Sequence, residues 1–219
     1  MLAALYGGRP RPRRALRTGS LRNGAVDSRA RRGLPAGVTA LRRGSSHRAY
    51  CREWLQTPKW NVEGLAKGHM ATVHDVAAYL IKRLGAMSAM KLQKLAYYCQ
   101  AWSLVWDERP MFQARIEAWA LGPVVPSLYA VHRGQFRVTE WPQGDPNRLT
   151  KDERDTANAV CDFYGRRSAR WLSELSHQEQ PWMVAREGVP EGERGKALIS
   201  HESMAEYYGA LLLKERRRR

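Results

Sequence analysis

Residues 87–136 read MSAMKLQKLAYYCQAWSLVWDERPMFQARIEAWALGPVVPSLYAVHRGQF, and this stretch decides the fold. Its first half is helical. Ser88 is a favourable N-cap, because its hydroxyl can accept from a first-turn N–H. Leu92, Leu95, Cys99, Trp102 and Trp106 then recur at i, i+3, i+7, i+10 and i+14, a sustained apolar face. Pro110 ends the helix, since it lacks an N–H and its ring clashes with the preceding turn. Arg115 to Trp119 is too short to assign by period and reads equally as a strand or the end of a turn. Gly122-Pro123 and Val125-Pro126 stiffen the following segment. Pro126 suits the first position of a short helix that Gly134 closes.

Helical punctuation continues on both sides. Upstream, Thr72-Val73-His74-Asp75 resembles a capping box with Asp in place of Glu. Val76, Leu80, Ile81 and Leu84 form a stripe behind it, and Gly85 is the stop. Downstream, Phe136 to Trp141 alternates like an edge strand or extended loop. Thr150-Lys151-Asp152-Glu153 is a full capping box for a helix ending at Gly165. Ser168 starts another helix, Pro181 a further turn or helix, and Ser200 a last one using Met204, Tyr207, Tyr208, Leu211 and Leu212. The expectation is a mainly α, compact single domain of about six helices over 70–213, with at most a small β-hairpin.

The charge is distributed unevenly around that domain. The chain has 219 residues, 37 Lys+Arg, 21 Asp+Glu and a net charge of +16. Residues 1–69 hold 15 basic residues against Asp27, Glu53 and Glu63, and residues 214–219 hold five against Glu215. Residues 70–213 hold 17 of each sign and are neutral. A nucleic-acid-binding regulator working through the basic ends is the alternative reading, but the body lacks the basic excess of a nucleic-acid-binding domain.

Several other classes find no support. Cys51, Cys99 and Cys161 are sparse and unpaired in spacing, which argues for a reducing compartment. No apolar run reaches the roughly 20 residues of a membrane span. The N-terminal order, apolar then basic, is wrong for a secretory signal, so the expected location is cytoplasmic. No phosphate loop, dinucleotide fingerprint, zinc-protease motif or nucleophile elbow occurs. Ser176-His177 and Ser200-His201 are sequence neighbours, whose side chains diverge on a helix instead of converging as a catalytic pair must. The acids Asp152, Glu153 and Asp155 occupy a first helical turn, where the macrodipole stabilises carboxylates. The expectation is a non-enzyme, with no catalytic residues, metal or cofactor.

What the helix over 88–109 does offer is a polar flank. Lys91, Lys94 and Tyr98 run at i, i+3 and i+7, and Gln93 and Tyr97 lie opposite the apolar stripe. Tyr exposed beside Lys and Gln suits a protein-binding surface; an ordinary solvated helix face has the same pattern.

These residues also carry a family resemblance. Lys91-Leu92-Gln93-Lys94-Leu95 with Tyr98, Gln100 and Trp102 is one motif. Ile116-Glu117-Ala118-Trp119 and Gly122-Pro123-Val124-Val125-Pro126 with Leu128-Tyr129 follow in order. Together they closely resemble the Panacea domain of SocA-like antitoxins, also described as phage-associated GepA-like proteins, over about 70–213. The resemblance implies a mainly helical antitoxin module that neutralises a cognate toxin protein by direct binding. In the SocA branch it implies an adaptor that hands the toxin to a ClpXP-type protease. The candidate partner-binding residues are Lys91, Gln93, Lys94, Tyr97, Tyr98, Trp119, Gly122 and Pro123.

Residues 1–69 contain 13 Arg, 9 Gly and 4 Pro without helical or strand period, so they read as a disordered arm. The abrupt change of composition at Met70, with Lys67-Gly68 necessarily encoded by purine-rich codons, makes Met70 the expected start of translation. A genuine basic arm is the other reading, and the extensions common in Panacea proteins fit it. Mass spectrometry of the native protein should find no peptide from upstream of Met70; any such peptide removes the Met70 start.

Overall fold

Helices supply nearly all of the architecture. The computed structural model describes residues 70–217 apart from 191 and 194. The expected arm over 1–69 and the last two tail residues, 218 and 219, lie outside the described residues. The mainly α expectation holds. Among the described residues there are seven helices, α1 (Val73–Leu84), α2 (Ala89–Trp106), α3 (Pro126–His132), α4 (Lys151–Tyr164), α5 (Ala169–His177), α6 (Gln180–Ala185) and α7 (His201–Arg216). Four short strands accompany them: β1 (Met87–Ser88), β2 (Glu117–Trp119), β3 (Gly122–Val124) and β4 (Arg137–Val138).

The helix starts are those that the sequence indicates. Thr72 and Asp75 form a reciprocal capping box on α1, with the Thr72 N–H donating to Asp75 Oδ2 at 2.9 Å and the Asp75 N–H to Thr72 Oγ1 at 3.2 Å. Asp75 Oδ1 also accepts the Asp145 N–H at 2.8 Å. One short carboxylate thus starts a helix and holds a loop from the far side of the domain. That loop lies flush against α1: a Cβ on Gly144 would stand 2.0 Å from the His74 carbonyl oxygen, so only glycine fits. The second capping box, Thr150 with Glu153, starts α4, and Ser88, Ser168 and Ser200 cap α2, α5 and α7. The final helix runs on to Arg216, past Leu212 and into the basic run.

The strands form two small antiparallel ribbons. β2 and β3 are a hairpin, pairing Glu117 with Val124 and Trp119 with Gly122. On its other side β2 takes the Leu198 segment, through Ala118 N–H to Ala197 O and Ile199 N–H to Ile116 O, both 2.9 Å. β1 pairs with β4 across 50 residues of chain, Met87 with Val138 and Ser88 with Arg137.

Helix α2 runs through the middle of the domain and packs against α1, α4, α5, α7 and the hairpin. Fourteen of its 18 residues are buried. The reading of a helix with one apolar face and one solvated flank is therefore corrected: a helix covered on every side buries its polar residues too. Trp102 stacks on Trp106 with centroids 4.7 Å apart and donates from its indole to the Tyr164 hydroxyl at 3.3 Å. Burial of each such large side chain stabilises the fold by about 1.5–3 kcal/mol.

Gln100 illustrates how a polar residue fits the core. Its Oε1 accepts the N–H groups of Met111 and Phe112 at 3.0 and 3.1 Å, and its Nε2 donates to the Phe112 carbonyl. Gln100→Ala would leave two N–H groups unpaired in a dry site, each costing about 1–3 kcal/mol. Urea denaturation should show a loss of about 2–4 kcal/mol; an unchanged midpoint would mean that these bonds do not hold the loop.

Candidate partner-binding site

The two sequence motifs meet in space. From α2, Lys94 Nζ donates to the Pro123 carbonyl at 3.0 Å, and Gln93 Nε2 donates to the Val125 carbonyl at 3.3 Å while its Oε1 accepts the Val125 N–H at 2.8 Å. From α5, Ser173 Oγ donates to the Leu121 carbonyl at 2.8 Å. From α6, the Trp182 indole donates to the Trp119 carbonyl at 3.0 Å. Just beyond α6, Arg186 Nη1 donates to the Ala118 carbonyl at 3.1 Å. Five carbonyls between Ala118 and Val125 are thus gripped by five side chains.

Gly122 is the tightest point. Its φ of +99° is left-handed, and a Cβ there would lie 2.5 Å from Lys94 Nζ and 2.7 Å from Ser176 Oγ. Glycine is required on both grounds. Leu121, at the turn beside it, is 61% exposed, and Trp119 is half-buried with its ring edge-on to Tyr129 at 4.8 Å.

The predicted site residues divide accordingly. Gln93, Lys94, Trp119, Gly122 and Pro123 come together at the hairpin. Lys91 stands apart, donating to the Gly165 carbonyl at 2.6 Å. Tyr97 and Tyr98, expected to be exposed, are wholly buried, as are Gln93 and Lys94. The physical reason is that α4 and α7 cover the tyrosines while the hairpin segment covers Gln93 and Lys94. Tyr98 stacks on Tyr164 at 4.1 Å, and the hydroxyls of Tyr98 and Tyr208 both donate to Glu179 Oε2, at 3.3 and 2.7 Å. Buried in this way, Gln93, Lys94, Tyr97 and Tyr98 present no face to solvent.

Glu179, Arg186 and His132 are the members that sequence reasoning missed. Arg186 also donates to the Pro190 and Glu193 carbonyls at 3.0 Å and lies over the Trp182 ring. His132 lies 2.8 Å from Gln93 Nε2. Because Gln93 donates there, His132 accepts at Nε2 and is neutral, and burial holds its pKa below the usual value. Pro181, which opens α6, was the only local signal near Glu179. Ser176 Oγ donates to the Ser173 carbonyl at 2.9 Å, so it is not engaged with His177. Among the described residues, no three His, Cys, Asp or Glu side chains gather as a metal-binding group. No described helix is long and apolar enough to cross a membrane.

This fold and site define a helical domain built on one buried central helix, whose polar residues clamp a largely buried hairpin with Leu121 exposed at its turn. Residues 92–183 match the family model described as antitoxin SocA-like, Panacea domain. The match spans α2 to α6; α1 and α7 lie outside it yet pack on α2. No curated protein and no solved structure matches the chain.

Two buried titratable groups give the site a pH signature. Burial pushes the Glu179 carboxyl up to about 8, despite the two tyrosine hydroxyls that favour its ionised form. Burial pulls the Lys94 amine down to about 7. The folded Glu179 holds a proton that the unfolded chain releases, so stability falls as pH rises from about 4.5 to about 8. The folded Lys94 prefers to be neutral, so stability recovers from about 7 to about 10.5. Burial also raises the Cys99 and Cys161 thiols and the Tyr97, Tyr98 and Tyr208 hydroxyls and lowers His74, His132, His177 and His201, so each contribution is read as the difference between variant and wild-type urea midpoints. Glu179→Gln should remove a fall between about 4.5 and about 8, and Lys94→Met a rise between about 7 and about 10.5. A variant profile parallel to that of the wild type over its range would contradict the assignment.

Proposed function

We propose that the chain is a non-catalytic antitoxin module that binds a cognate toxin protein directly and silences it, with the β2–β3 hairpin as a contact element. The observation that carries this reading is the clamped hairpin within the antitoxin-type domain. Five helix-borne or helix-adjacent donors fix its backbone, and its turn presents an exposed Leu121 beside a half-buried Trp119. A loop fixed before binding loses little conformational entropy on association, so its apolar contacts count more fully toward affinity. Charge supports a protein partner as well, since residues 70–213 have no net charge with which to attract nucleic acid.

The test is co-expression with the product of the neighbouring gene, provided that product alone arrests growth. The wild-type chain should restore growth and bind the purified product. Leu121→Asp should weaken binding by about 2 kcal/mol or more, roughly thirtyfold, with the melting temperature unchanged. Failure of the wild-type chain to restore growth would overturn the antitoxin reading. Full rescue by Leu121→Asp would remove the hairpin turn from the contact.

A further inference from the structure

The segment joining α3 to β4 holds a second feature that the hairpin does not explain. It is fixed at both ends. His132 is buried against Gln93, and the Gln135 N–H bonds back to the His132 carbonyl at 2.8 Å. Gly134, at φ +82°, turns the chain. The Phe136 carbonyl accepts the Ala89 N–H at 3.0 Å, the Arg137 position pairs with Ser88, and Val138 is buried.

On this pinned backbone the Phe136 side chain is 88% exposed, the most exposed of the large apolar side chains among the described residues. Arg133 and Arg137 flank it, both exposed. Among the described residues neither forms an ion pair, although Arg83, Lys151 and Arg170 on helix surfaces all do. A scattered exposed apolar residue needs no explanation. An exposed aromatic residue on a pinned backbone, with two exposed arginines near it in the chain that form no ion pair among the described residues, is different: aromatic residues and Arg are the side chains that anchor protein interfaces.

We propose that Arg133, Phe136 and Arg137 form a docking anchor for a protein partner whose contact face has an apolar socket rimmed by Asp and Glu carboxylates. The proposal rests on the reading that this chain works by binding a protein, and it names the chemistry of that partner's surface. Phe136 fills the socket. The guanidiniums, which form no ion pair among the described residues, receive the carboxylates as paired N–H donors. Two cations in a domain of zero net charge are too few to track a phosphate backbone, so the favoured partner is an acidic protein surface, not a nucleic acid.

The experiment pans a phage-displayed library of random peptides against the immobilised full chain and measures the enriched peptides, labelled with fluorescein, by anisotropy. The expected peptides carry an aromatic or aliphatic centre flanked by Asp or Glu. Phe136→Ala and the double variant Arg133→Glu/Arg137→Glu should each weaken them at least tenfold with unchanged melting temperature. Lysine-substituted versions of the same peptides should recover binding to the double variant. Enriched peptides that lack the acidic and apolar pattern, that bind all variants alike, or that fail to appear would overturn the proposal. So would a labelled single-stranded RNA that binds the wild type and is lost in the same variants. The toxin assay separates this failure from that of the antitoxin reading: rescue by Phe136→Ala with full toxin affinity removes this anchor alone, whereas peptide binding through Phe136 without rescue removes the antitoxin reading alone.

Discussion

Everything in this domain depends on the backbone carbonyls of the hairpin and the buried side chains that bond to them. A hairpin of two three-residue strands is not stable alone. Here Lys94 and Gln93 from α2, Ser173 from α5, Trp182 from α6 and Arg186 just beyond α6 donate to five carbonyls between Ala118 and Val125. The same bonds satisfy polar groups that would otherwise be costly inside the domain. Helix α2 can therefore carry Lys and Gln at its centre without a solvated face, and the hairpin is held without a sheet to rest on.

The buried charges make this arrangement selective as well as costly. Lys94 has no carboxylate partner among the described residues, and Glu179 is met only by tyrosine hydroxyls. Burial moves each toward its neutral form, Lys94 downward and Glu179 upward. Apolar replacements of similar volume would often be at least as stable. They could not donate to Pro123 or tie α6 to α7, so these groups determine which segments meet rather than how tightly the core packs.

Much of the local structure was legible. Thr72 with Asp75 and Thr150 with Glu153 announced two helix starts, and Ser88, Ser168 and Ser200 three more, because capping is a contact between residues three apart. The motif residues Lys91 to Leu95 and Gly122 to Pro126 lie on two segments that the structure brings together. Their exposure was not legible. Tyr97 and Tyr98 look open on a helical wheel because the helices that cover them, α4 and α7, lie far downstream in the chain. Glu179 and Arg186 gave no signal for a related reason: a carboxyl or guanidinium that bonds to distant groups has no local pattern to betray it.

The sequence by itself determined the helical class, the helix starts, the neutral body between basic ends and the identity of the two motifs, since all of these follow from composition or from contacts within a few residues. Only the tertiary structure decided which side of α2 meets solvent, which side chains hold the hairpin, and that Leu121 and Phe136 are left outside. Those outcomes depend on packing between segments far apart in the chain, where burial and hydrogen-bond partners exist only after the helices have assembled.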